Sequence, residues 1–408
     1  MSSSGRRTPS LQTEATARLV RRVASTALAA ASMAVPTGAA DVVFRPSLSF
    51  GLFHDGNIDI VGTSKGDDAG EISLDLVLDR LTPRSKLTFA YRPSYRRYRT
   101  ATDLDYFANT VVLSYAHQKS RRTKTAASFD ASRTETQGIQ DYSTDRPVTF
   151  VPRTTTYRVA GGVGGTVGMA RRSLVDWGAR IQGDSYQSSG STQYDNSGAI
   201  GVLGGWRFEA SQKSTIGLAL RVDWFVYEQN SANSVPNVVT ETFGITGTQV
   251  IARTTDMSYG AGASLSASSG STKTNPWFLI TVANKLSERT TINAGAKQAV
   301  GTGTGIGGGS LDRGAWLGYA RSAQKRGVSA SIYGSYWFRQ SLELAQQGSG
   351  EVRTADVTGT VGWTFSRYLA LTAAYSYVDQ HSPTATVSSS DTSYSSYGVF
   401  LRWAMRGR

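Results

Sequence analysis

The sequence predicts an all-β protein, a single transmembrane antiparallel up-and-down β-barrel of about 16–18 strands, with 18 favoured. Three observations predict it. After Asp41 the chain breaks into stretches of two-residue alternation, each about the length of a membrane strand. The less apolar face of those stretches carries too many charges for a packed soluble core. Short and long connections alternate along the chain, as in barrels with tight periplasmic turns and longer outer loops.

Residues 1–40 read as a signal peptide. A basic stretch, Arg18–Arg22, precedes the apolar run Val23–Val35, and small residues follow up to Ala40, where cleavage is expected. The basic region is long, and Arg6 and Arg7 mimic a twin-arginine signal without its full context. Export by the general secretory route is the favoured reading. The absence of cysteine excludes a lipoprotein anchor, disulfides, thiolate metal sites and cysteine nucleophiles together. Residues 41–408 then form one barrel domain. Mean hydropathy is −0.27 and no later apolar run approaches the ~20 residues of a spanning helix. Membrane barrels hide their apolar surface in alternation, so this value does not make the chain soluble.

The alternation opens with Val42, Phe44, Pro46, Leu48, Phe50 and Leu52 on one face and Arg45, Ser47, Ser49 and Gly51 on the other. Ile72, Leu74, Leu76 and Leu78 then oppose Ser73, Asp75, Val77 and Asp79. Leu87, Phe89, Tyr91, Pro93 and Tyr95 oppose Lys86, Thr88, Ala90, Arg92, Ser94 and Arg96. The pattern returns at Tyr157–Met169, Ile200–Glu209, Ile216–Tyr227, Val328–Arg339 and Val357–Val378. Aromatic clusters at Trp224–Tyr227, Tyr336–Phe338 and Tyr397–Trp403 suit interfacial girdles. Tight turns are expected at Leu81–Arg84, Ser120–Arg122, Ala170–Arg172, Ser211–Lys213, Ser287–Arg289, Ala323–Lys325 and Ser366–Arg367. Longer outer loops are expected at Thr136–Arg153, Glu228–Glu241, Gly301–Ser310, Ser341–Glu351 and His381–Asp391. Both ends of the barrel should be periplasmic, which requires an even strand number. Val238–Ala252 reads poorly as a strand and decides between 16 and 18.

The final stretch presents Tyr397, Val399, Leu401 and Trp403 on one apolar side, expected to face lipid. Ser396, Gly398, Leu401 and Trp403 also match the outer-membrane assembly signal of a polar residue, a glycine, a hydrophobe and an aromatic. The extra residues Ala404–Arg408 depart from that pattern, which usually stops on the aromatic.

No constellation points to an enzyme, a metal or a cofactor. The three histidines, His54, His117 and His381, lack ligand spacing; His54 reads as a loop residue, His117 as a strand end and His381 as the start of an outer loop. Asp55–Asp59 lacks the rest of a calcium loop and reads as a turn. Gly301–Gly309 lacks the lysine and helix of a phosphate loop and reads as an outer loop. Within Gly161–Gly165, glycine allows curvature or leaves lumen space.

The inner face carries the functional information. Alternation places Arg45, Lys86, Arg92, Arg96, Arg158, Arg180, Arg207, Arg221, Arg339 and Arg402 in the lumen, against Asp75, Asp79, Asp130, Asp176, Asp223 and Glu209. Such arginines either favour anions or stiffen the wall as internal ion pairs. Formal charge is +13, part of it in the N-terminal segment, which fits an anionic partner without demanding one. Basic and aromatic residues interleave in Tyr91–Arg99. With an export signal upstream, that stretch suits lipopolysaccharide phosphates better than nucleic acid.

The chain resembles the outer-membrane β-barrel porins (porin 2-like) often found with exopolysaccharide export systems. The likeness rests on the stretches Phe44–Gly51, Tyr91–Tyr98, Leu286–Ile292 and Tyr397–Trp403. It implies a pore in a Gram-negative outer membrane and a role in moving polysaccharide to the surface. The implied partners are a periplasmic polysaccharide export protein and an inner-membrane polymerisation complex; the assembly pattern at the C-terminal strand adds the barrel assembly machinery, and the lumenal arginines an anionic polysaccharide. It carries over no site residue. The residues themselves leave open a conduit for an acidic polymer, a general or anion-preferring solute porin, a structural barrel, and more remotely a barrel enzyme.

Overall fold

The computed structural model describes residues 40–56, 66–136, 154–188, 196–227, 237–268, 271–301, 310–322, 327–341, 351–381 and 392–404. The expected signal peptide lies outside them apart from Ala40. The turn Ala323–Lys325, most of the Gly301–Gly309 stretch and the last four residues also lie outside.

Eighteen strands follow one another: β1 (Asp41–Asp55), β2 (Asp67–Leu81), β3 (Ser85–Tyr98), β4 (Tyr106–Gln118), β5 (Lys124–Thr136), β6 (Thr154–Ala170), β7 (Ser173–Ser188), β8 (Ser197–Ser211), β9 (Ser214–Tyr227), β10 (Val238–Ala252), β11 (Thr255–Ser268), β12 (Ser271–Ser287), β13 (Thr290–Gly301), β14 (Ser310–Arg321), β15 (Gly327–Ser341), β16 (Glu351–Thr364), β17 (Leu369–His381) and β18 (Thr392–Ala404). Each pairs antiparallel with its neighbours in sequence, and β1 pairs with β18, so the sheet closes. A single short 3-10 turn, Thr102–Leu104, interrupts the strands among the described residues. No helix among those residues is long and apolar enough to cross a membrane.

Closure is what allows this chain to cross lipid, because no strand then leaves a whole edge of backbone donors and acceptors open to hydrocarbon. The two faces stay separate around the whole circuit. Ser47 stands opposite Asp75, Glu71 opposite Arg96, Ser132 opposite Arg158, Gly201 opposite Asp223, Asp312 opposite Arg339, and Arg402 returns opposite Ser49. The exposed large hydrophobics within strands fall almost entirely on the other, outward register, Leu52 at 75% exposure among them. Leu81, at the turn end of β2, and Leu203 are the exceptions, exposed on the inward register. The outward band suits acyl chains and the inward face suits water. That division, with an even strand number and turns of two to five residues at one rim, is the architecture of a bacterial outer-membrane barrel.

Three expectations change. Val238–Ala252 is a full strand, β10, so the loop expected to run to Glu241 ends before Val238. Its outward positions include Glu241, Gly247 and Gln249, which dilute the apolar face, while inward threonine and glycine complete the alternation. His54 is a strand residue, bonded through Nδ1 to Asp68 at 2.9 Å and stacked on Tyr397. The aromatic clusters divide between two faces, because adjacent residues of a strand point in opposite directions. Trp224, Tyr336 and Phe338 face outward, whereas Phe225, Tyr227 and Trp337 are inward and buried.

At the outer end the wall is not a simple cylinder. β12 pairs with β11 as far as Ser271 but with β13 only as far as Phe278, opposite Gln298. Gln298 donates to the carbonyl of Pro276 at 2.5 Å where the two strands part. Proline suits that position, the start of a stretch with no ladder partner on one side. Beyond it Val300 packs on Ala199, Phe225, Tyr227 and Val238 of β8–β10. The tip of β13 therefore leans inward over β11 and β12. Thr240 and Ser264 of β10 and β11 are 1% exposed and bonded to neighbouring hydroxyls there.

The β1–β18 joint is held at its outer end by Asp55, which is fully buried. It accepts hydrogen bonds from Tyr98 of β3 at 2.8 Å and Tyr394 of β18 at 2.5 Å, and Arg96 stands 3.5 Å away. Arg96 also lies 4.0 Å over the Phe53 ring and bonds Glu71 at 2.9 Å. Across the joint a Cβ on Gly51 would meet the ring of Phe400 at 2.4 Å, so glycine is required for Phe400 to lie flat against the wall. Removing one member of such a buried charged group costs about 3–5 kcal/mol, because its partners stay behind unpaired. Asp55→Ala should lower unfolding stability by that order, read as the urea midpoint of the barrel in detergent. Asp75→Ala, on a solvent-open ion pair, should cost about 0–1 kcal/mol.

The candidate functional site is the lumen

The inward register gathers all nine arginines expected in the pore, with Asp223, on the lumenal face, and each arginine has a carboxylate partner. Arg45 bonds Asp79, Arg92 bonds Asp75 at 3.0 Å, Arg158 lies 3.9 Å from Asp184, and Arg207 bonds Asp176 at 2.8 Å. Arg180 and Arg221 hold the two oxygens of Asp223 at 2.8 and 2.6 Å. Arg339 bonds Asp312 at 3.1 Å, and Arg402 approaches Asp75 at 3.9 Å while donating to Ser47. Arg96 belongs to the Asp55 group. The register explains these partners: Arg158 stands directly opposite Asp184, and Arg180 reaches Asp223 across the bare backbone of Gly201.

The pairs are not evenly balanced. Asp223 serves two arginines, Asp75 serves Arg92 and Arg402, and Asp79 serves Arg45 with Lys86 4.0 Å away. These shared carboxylates lie where the lumen is open; the side chains of Arg45, Arg92 and Arg402 are more than half exposed. Towards the outer rim the inward side chains are covered, as with Arg339 at 8%. Glu209 is engaged instead by Arg122 from a turn, at 3.4 Å.

Between the charged groups the wall is bare. Ser114, Ala116, Ala126, Ser128, Gly162, Gly164, Gly178 and Gly201 floor a recess of about 570 Å³ across β4–β8. Lys86 bounds one end, and Arg180, Leu203 and Arg221 bound the other. At an interstrand spacing of about 4.8 Å, the four steps from β3 to β7 separate Lys86 from Arg180 by about 19 Å along the wall. Within Gly161–Gly165 the alternation divides the work: Gly162 and Gly164 open the lumen, and Gly161 and Gly165 face outward.

The opposite wall is of another kind. On β10–β13 and β15–β17 it presents hydroxyls and amides, among them Thr242, Thr246, Thr248, Ser258, Asn293, Ser331, Thr358 and Thr360. Trp277, Trp316 and Trp337 also point inward there. Trp316 and Trp337 stack at 6.0 Å, and a Cβ on Gly314 would meet the Trp337 ring at 2.2 Å. The rings therefore lie along the wall rather than across the channel.

Several of these residues escaped sequence reasoning. Glu71 and Asp184 could have been placed by carrying the alternation outward from Asp75 and Arg180, whereas Asp312 meets Arg339 only through the register between β14 and β15. The three tryptophans are placed inward by register alone, which the aromatic clustering does not reveal. The assembly-pattern residues divide by register: Ser396 and Gly398 point inward, Leu401 and Trp403 outward. His117 is the last but one residue of β4 and His381 closes β17, both on the outward face. Among the described residues His54 has only Asp68 as a hydrogen-bond partner, and no cluster of three acidic or histidine side chains could hold a metal.

No protein-family model matches the chain. No curated protein matches it either. Among solved structures it is similar to Pseudomonas aeruginosa OpdQ, with 9% identity, 90% of this chain and 98% of that one covered, and a TM-score of 0.44. Acinetobacter baumannii OccAB4 gives 11%, 90%, 98% and 0.42. The siderophore receptor PirA from Acinetobacter baumannii gives 7%, 89%, 80% and 0.42.

The lumen's charge arrangement makes a signed prediction. Asp223→Asn would leave Arg180 and Arg221 without their shared carboxylate. The reversal potential in a salt gradient across a planar bilayer should move towards anion selectivity. Arg180→Gln with Arg221→Gln should move it the other way.

Proposed function

We propose that the barrel is a passive pore for hydrophilic solutes in the bacterial outer membrane, with a mild preference for anions. The observation that carries this reading is the sharing of Asp75, Asp79 and Asp223, each between two cations, in the open part of the lumen. Ion pairing neutralises most of the arginine charge, so the lumen is polar and rigid rather than strongly basic. The residual excess is small, local and exposed to water, where screening limits it to short range. Such a field biases passage without trapping the solute, as conduction requires.

A second reading is favoured by the bare recess. A floor of glycine, alanine and serine, flanked by cations about 19 Å apart, suits an extended acidic chain. In that reading the barrel exports an acidic exopolysaccharide together with a periplasmic export protein. Assembly by the barrel machinery, through Ser396, Gly398, Leu401 and Trp403, is common to both readings.

Planar-bilayer conductance of the purified barrel tests the first reading. Open, ohmic channels with a modest anion preference are expected, and a barrel that passes no current would overturn it. The second reading is tested by extracellular polysaccharide in a strain lacking the gene. Loss of polymer, restored by the wild type and reduced by Arg92→Gln with Arg221→Gln, supports export; unchanged polymer removes it.

A further inference from the structure

Four neighbouring strands bring three basic groups and a phenylalanine to one height on the lipid-facing side of the outer rim. Arg313 of β14 stands opposite Phe338 of β15, Phe338 opposite Arg353 of β16, and Arg353 opposite His381 of β17. All four belong to the outward register. The guanidinium carbons of Arg313 and Arg353 lie 5.7 and 5.9 Å from the centre of the Phe338 ring, which sits between them. Three interstrand steps place the basic groups along about 14 Å.

Their height follows from the strand below. Ten residues separate Val328, at the turn end of β15, from Phe338. At ~3.3 Å per residue and a tilt of ~40°, that is a rise of about 25 Å, the height of the apolar band of a membrane barrel. The outward column beneath is Val328, Ala330, Ile332, Gly334 and Tyr336 on β15, with Val361, Val357 and Ala355 on β16. The row therefore stands where acyl chains end and headgroups begin.

Its charges are partly answered. Glu351 bonds Arg353 at 2.6 Å, and Asp379 lies one outward step below His381 on β17. Arg313 is exposed, and its donors meet no acceptor among the described residues. A guanidinium at a lipid boundary is drawn to a phosphate it can bind with two parallel donors. The pairing recurs on the far side of the barrel, where Arg133 lies 5.9 Å over Tyr157 near the outer rim.

We propose that Arg313, Phe338, Arg353 and His381 form a binding site for the phosphorylated headgroup of an outer-leaflet lipid. Arg313 and Arg353 bind phosphate, Phe338 holds them apart, and the acyl chains descend over Tyr336 and Val357. Continuity with the apolar wall selects a lipid over a free anion. The site does not depend on what passes through the lumen.

The test uses the full-length barrel in detergent with lipid A carrying both phosphates, read by native mass spectrometry. The double variant Arg313→Gln with Arg353→Gln should retain the lipid about tenfold less, the worth of one or two charge-assisted hydrogen bonds. Arg321→Gln at the opposite rim should bind as the wild type does, and dephosphorylated lipid A should bind the wild type as weakly as intact lipid binds the double variant. Equal retention by the double variant would overturn the site, as would equal binding of the dephosphorylated lipid. Displacement by millimolar inorganic phosphate would make it a free-anion site and overturn the lipid assignment. Heat-modifiable gel migration checks that each variant is folded. Arg313→Gln alone, which breaks no described hydrogen bond, gives the same reading with a smaller drop if the double variant does not fold.

Discussion

Everything in this molecule depends on the pairing of backbone amides in a medium that offers no alternative partner. An open sheet edge in hydrocarbon would leave a row of unsatisfied groups, each costing several kcal/mol. The eighteenth strand therefore has to find the first. Once it does, every strand has a wet side and an oily side, and the choice of side chains at each position follows. The same closure makes the inward face a confined aqueous wall, where neighbouring charges are held within a few ångströms by register.

That confinement explains why the arginines are not a bare positive ladder. Side chains on facing positions of adjacent strands lie within reach of one another. An arginine placed inward on one strand is stabilised by an aspartate inward on the next, as at Arg158 with Asp184 and Arg207 with Asp176. The pore's electrostatic character then comes from the few places where one carboxylate answers two cations. Counting arginines overstates the field, and the unequal pairs carry what remains.

Alternation made the wall legible from sequence because it is a local property with a period of two. Arg45, Arg92 and Arg402 could be assigned to a face from their immediate neighbours. Three kinds of information were not local. Which carboxylate meets which arginine depends on register between strands. The strand character of Val238–Ala252 depends on two neighbours that supply ladder partners to a weakly apolar segment. The lean of β13 depends on a contact between Val300 and three other strands. Aromatic clusters misled for a related reason: consecutive residues read as one girdle although the pleat sends alternate rings into the lumen.

The joint between β1 and β18 has a kinetic meaning. Only Ser47 to Asp55 of β1 pair with β18, whereas all of Asp41 to Asp55 pair with β2. A short seam thus joins strands from opposite ends of the sequence, and its formation waits until nearly the whole barrel exists. Contacts so distant along the chain carry the largest loop-closure entropy and form late. The buried Asp55, with Tyr98 on one side of the seam and Tyr394 on the other, sits where a late and narrow closure most needs a latch.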